Sequence, residues 1–154
     1  MTPILIALSY WLHALATVIF IGHYALLALI YLPMLSKNGN GLALSEISKQ
    51  SRPWLYASMI ILAITGTYLT IADPNYLGLG NFGSFWGVMM LVKHLLIVGM
   101  LLVGFWFNAI MRVGPLMSSN TGAAQAIARF RGYNNAMAIL SVLILLLTTL
   151  AQVE

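Results

Sequence analysis

Cysteine is absent from this chain of 154 residues. No disulfide framework, thiolate metal site or cysteine nucleophile can therefore be built. Charge is almost as scarce. Asp, Glu, Lys and Arg together make up 6% of the residues, whereas a soluble domain carries about a quarter. The acids are Glu46, Asp73 and Glu154, and none lies within a long apolar run, so no carboxylate relay can cross one. The glycine-bearing stretches GNGLA and GLGNFG do not stand between a strand and a helix, which argues against a phosphate-cradling loop. The formal net charge is +4. With so few charges this is a signal of membrane topology and not a nucleic-acid footprint.

What the chain has in abundance is apolar residues, at 61%. Crossing a bilayer takes about 20 of them in a row, and four segments qualify: roughly 4–34, 54–72, 85–111 and 133–152. The expected fold is all-α and integral to a membrane, a single domain over 1–154 forming a four-transmembrane-helix up-and-down bundle. Pro33 ends the first segment, Pro53 opens the second, Asp73-Pro74-Asn75 ends it and Gly114-Pro115 ends the third. Loop 36–52 carries Lys37, Lys49 and Arg52, and loop 112–132 carries Arg112, Arg129 and Arg131. By the positive-inside rule both loops face the cytoplasm. Both termini and loop 73–84 then face outward across a prokaryotic-type inner or plasma membrane. MTPILIALSYW lacks the basic region and cleavage site of a signal peptide and reads as the start of the first span. LALSEISKQS and AAQAIARFR read as short interfacial helices. A faint repeat relates IYLPMLS to RVGPLMS. Aligning Pro33 with Pro115 places His13 opposite Leu95, beside His94.

Polar groups inside a bilayer are costly and usually functional, which singles out His13, His23, His94 and Lys93. His13 and His23 share one span, about 15 Å and 80° apart, and cannot ligate the same ion. The first and third spans run in one direction, so His13 and His94 are expected at similar depth. Two imidazoles facing each other from different helices can grip a haem iron in a four-helix bundle. If Trp11 and Trp86 instead mark the outer interface, His94 falls between His13 and His23 in depth, which keeps His23 as an alternative ligand. Lys93 is read as a snorkelling side chain or the neutraliser of a haem propionate. Gly66, Gly99 and Gly104 offer room for a flat macrocycle or for plain helix packing. The nine methionines, Met59, Met89, Met90 and Met100 among them, bring in Cu(I), since thioether is a soft ligand, although methionine is also an ordinary core filler.

Three stretches resemble the copper resistance protein D (CopD-like) membrane family. WLHALATVIFIGHYALLALIYLPML is similar to its first helix, RPWLYASMIILAITGTYLT to its second, with Thr65-Gly66 in place, and WGVMMLVKHLLIVGMLLVGFWFNAIMR to its third, through Leu-Val-Lys. The resemblance implies a four-helix membrane core with functional weight on His13 and Lys93. His23 and His94 depart from the family pattern. IYLPML also resembles the first-helix end of the HemJ-type membrane protoporphyrinogen oxidases, which bind haem, but the fuller signature around their histidine is not matched.

The combined expectation is a membrane haem b protein. Its iron is held by His13 and His94, with His23 and Lys93 as further cofactor-binding candidates. It would act as an electron carrier and not as a catalyst on its own. Its partners would be the lipid bilayer and a larger redox complex or a homo-oligomer. The alternatives are CopD-like copper uptake, with His13, His23 and methionines passing Cu(I) inward, and a cofactor-free structural subunit.

Overall fold

The computed structural model describes residues 2–38, 41–76, 78, 83–109 and 123–151. Among these residues the regular structure is entirely helical. Helix α1 spans Pro3–Leu26, with proline in its first turn, where the missing N–H costs nothing. A π turn, Leu27–Tyr31, follows, and α2 (Leu32–Asn38) continues from it. Helix α3 is Gly41–Ala72, α4 is Phe85–Ala109 and α5 is Ala123–Leu150.

Four helical stretches are long and apolar enough to cross a membrane: Pro3–Leu35, Glu46–Ala72, Phe85–Gly104 and Ala128–Leu150. They match the four expected spans. The differences lie at the ends. LALSEISKQS is not a separate interfacial helix but the first turns of α3, which runs through Pro53 without a break. Proline in a helix interior removes one donor and leaves the carbonyl four residues earlier, that of Lys49, without its bond. AAQAIARFR is likewise the start of α5. The Arg112 and Gly114-Pro115 features, and with them the second half of the proposed repeat, lie outside the described residues.

The turn between α3 and α4 is built by local hydrogen bonds. Asn75 N–H donates to Asp73 Oδ1 at 2.9 Å and Tyr76 N–H to the Asp73 carbonyl at 3.1 Å. Ser84 then caps α4, its Oγ accepting from Gly87 N–H at 3.0 Å. Trp86 is buried and packs edge-on to Tyr76. It braces this turn, while Trp11 is exposed.

Helix α1 lies along α3 and also meets α5, and α4 leans chiefly on α5. The surface is largely apolar, and a few polar side chains are buried beside the apolar ones. Val18, Leu29, Ile60, Ile64 and Val142 are exposed, whereas Ser58, Thr65, Asn134 and Ser141 are buried. In hydrocarbon a polar side chain gains by turning toward neighbouring helices and an apolar one loses nothing by facing out. Phe20, Tyr24, Met100 and Met137 form the apolar centre.

Candidate functional site

Each of the four sequence candidates occupies a different environment. His13 stands at the α1–α3 contact, where its Nδ1 lies 2.8 Å from Thr65 Oγ1. The Thr65 hydroxyl proton is committed to the Ile61 carbonyl at 2.6 Å. Nδ1 must therefore donate, which leaves the lone pair on Nε2. Gly66 makes this seat possible: a Cβ there would meet His13 Cε1 at 3.3 Å. The space at Gly66 is thus occupied by the imidazole. Lys93, on α4, lies within electrostatic range of His13.

His94 is exposed, and its Nδ1 donates to the Met90 carbonyl of its own helix at 2.6 Å. Among the described residues no hydrogen bond or ring contact joins it to His13. Lys93, next to His94 in sequence, sits about 100° away around the helix.

His23 differs from both. It makes a ring contact with Tyr24, centroids 5.2 Å apart, and no side-chain hydrogen bond among the described residues. It lines a cavity of about 310 Å³ walled by all four long helices, which is partly open to the surroundings. Three thioethers line the same cavity, one from each remaining helix: Met59 of α3, Met100 of α4 and Met137 of α5. Arg52 and Ser48 lie toward the end of α3 that carries the basic loop. The aromatic wall includes Tyr24 and Tyr133, whose hydroxyls are 3.3 Å apart. A second, shallower cavity of about 330 Å³ lies on the other side of His23, against Tyr31, Gln50 and Trp54.

The π turn begins four residues beyond His23. Its widened winding is seen in the Leu32 N–H donating to the Leu27 carbonyl, five residues back. Single π turns inside α-helices occur often at functional sites. Asn134, 0% exposed, reaches across from α5 and donates Nδ2 to the Tyr24 carbonyl at 3.0 Å. From the sequence Met137 is only one of nine methionines and Asn134 a neutral amide at the start of an apolar run, so neither stands out.

No group of three or more His, Asp or Glu side chains able to hold a metal ion occurs among the described residues. That leaves one imidazole with thioethers as the available donor set. An imidazole and a thioether together are a donor pair that iron uses in one known class of cytochromes, and among the described residues Arg52 is the one cation on the cavity's lining. Comparison with protein-family models, with curated proteins and with solved structures finds no match to this chain.

Proposed function

We propose that this chain is a four-span membrane protein that binds haem b in the cavity at His23 and carries electrons. The observation behind the reading is the meeting of one uncommitted imidazole, three thioethers and one guanidinium around a single four-helix cavity. The cavity's volume falls in the range of small-molecule and cofactor pockets, about 300–1,000 Å³, and is far more than one ion needs. His23 would supply one axial ligand and Met59, Met100 or Met137 the other. Arg52 would neutralise a propionate, and Phe20, Phe130 and Leu55 would keep water from the group. When bound, haem supplies one-electron redox chemistry.

The membrane placement belongs to the same proposal. Both termini face outward, the basic loops face the cytoplasm, and the setting is an inner or plasma membrane of prokaryotic type. A larger redox complex or a homo-oligomer would receive the electrons. Membership of the CopD-like group, suggested by the helix patterns, belongs here too. The three thioethers favour a second reading, a Cu(I) site formed with His23.

The deciding experiment is the absorption spectrum and metal content of the purified protein in detergent. The expected result is a haem Soret band that His23→Ala abolishes and that both His13→Ala and His94→Ala retain. Loss in His13→Ala and His94→Ala with retention in His23→Ala would restore the pairing expected from the sequence. Bound copper without a Soret band, released by Met100→Leu, would establish the second reading.

A further inference from the structure

His23 lines two cavities, the four-helix one and a second of about 330 Å³ between the end of α1 with its π turn and the first half of α3. The second volume also falls in the range of small-molecule pockets, about 300–1,000 Å³. Among the described residues no Lys, Arg, Asp or Glu lines it. Arg52, one residue beyond Ser51, lines the four-helix cavity instead. An ionised head group would find no counter-charge in the second cavity, and taking an unpaired charge out of water is costly. Its occupant is therefore neutral. Hydrogen-bonding groups stand on both walls. His23 of α1 and Gln50 of α3 form no side-chain hydrogen bond among the described residues. The Ser51 hydroxyl donates to the Ser48 carbonyl at 3.3 Å, which leaves its oxygen to accept. Tyr31 and Trp54 add two aromatic rings, 41% and 66% exposed. In the proposed membrane placement they open the cavity to the bilayer near its basic-loop interface, where such side chains gather.

We propose that this second cavity binds the head ring of a quinone resident in the bilayer. Such a ring is neutral and flat, with an oxygen on each of two opposite edges. The Gln50 amide donates to one oxygen and the His23 N–H to the other. When the head is in its hydroxyl form, Ser51 Oγ accepts from it. Tyr31 and Trp54 pack on the ring, and the tail runs past Leu26 and Ile47 into hydrocarbon. A neutral imidazole carries its N–H and its lone pair on different nitrogens, so the one ring can serve both cavities. The choice of a quinone over another flat neutral ring rests on the electron-carrier reading. The binding itself requires only the membrane placement.

The test is photolabelling of the full-length protein in non-ionic detergent with a radiolabelled, decyl-tailed azidobenzoquinone, the labelled peptides being mapped by mass spectrometry. The expected result is saturable labelling within residues 23–31 or 47–54, displaced by unlabelled decyl-benzoquinone and not by decanol or phosphatidylglycerol. Half-saturation should rise about tenfold in Gln50→Leu, the loss of roughly one hydrogen bond, and stay unchanged in Met100→Leu. Gln50 is exposed and its side chain has no partner among the described residues, so Gln50→Leu leaves the fold intact. Labelling that does not saturate, that maps elsewhere or that is undiminished in Gln50→Leu would overturn the proposal. Equal displacement by decanol would overturn it too, by showing a site for the tail alone, and equal displacement by phosphatidylglycerol would show that the occupant is not neutral. Saturable labelling of protein that has no Soret band would support the site and fail the haem reading alone.

Discussion

A glycine and a threonine decide how one imidazole sits. Thr65 passes its proton to Ile61 and accepts from His13, and Gly66 leaves the space in which the ring lies. Gly66→Ala should therefore force the ring to shift by tenths of an ångström. It should lower the melting temperature in the native background and much less in a His13→Ala background. Equal shifts in both backgrounds would show that the glycine serves only helix packing. Thr65→Val leaves Nδ1–H without an acceptor, a loss of about 1–3 kcal/mol, readable as reduced resistance to denaturant. Asn134→Leu should cost a similar amount, since it removes the donor to the Tyr24 carbonyl. Neither coupling was visible in the sequence, where Thr65-Gly66 figured as a family-like dipeptide and Asn134 fell unremarked inside the fourth apolar segment.

The first helix is one span by composition but two differently wound segments by structure. A π turn holds one residue more than the α-helix it interrupts, which rotates the segments relative to each other by about 100°. His23 and Tyr24 precede it, and Leu32 and Pro33 follow. Deleting Leu29, which is 77% exposed, should convert the turn to regular α-helix. Far-ultraviolet circular dichroism should be unchanged, while the haem proposed for the cavity should be lost because the segments on either side of the turn no longer keep their register. A retained ligand would mean that the π turn does not set the position of His23. Hydropathy cannot reveal such a turn, because all five of its residues are apolar in either winding. The same blindness explains α3: its polar first turns look separable from the span, yet backbone hydrogen bonding carries the helix through Pro53.

For the whole molecule the prediction concerns topology. Because the chain is free of cysteine, single cysteines can be introduced cleanly. Asn38→Cys and Asn75→Cys should react with an impermeant reagent from opposite sides of the membrane, and labelling from one side would sink the four-span arrangement. The number of helices long and apolar enough to cross a membrane was legible from sequence for a simple reason. In a solvent of hydrocarbon every backbone group must be paired within its own helix, so about 20 apolar residues in a row already specify the element. Which side chains face one another was not legible. All the helices are apolar nearly all round, so composition leaves their rotation undetermined. Rotation is settled by close packing at small residues and by the few polar groups seeking partners. That packing seated His13 against Thr65 of α3 and left His94 exposed on α4. It gathered His23, Met59, Met100 and Met137 around one cavity from four places in the chain, an arrangement no spacing of residues could have announced.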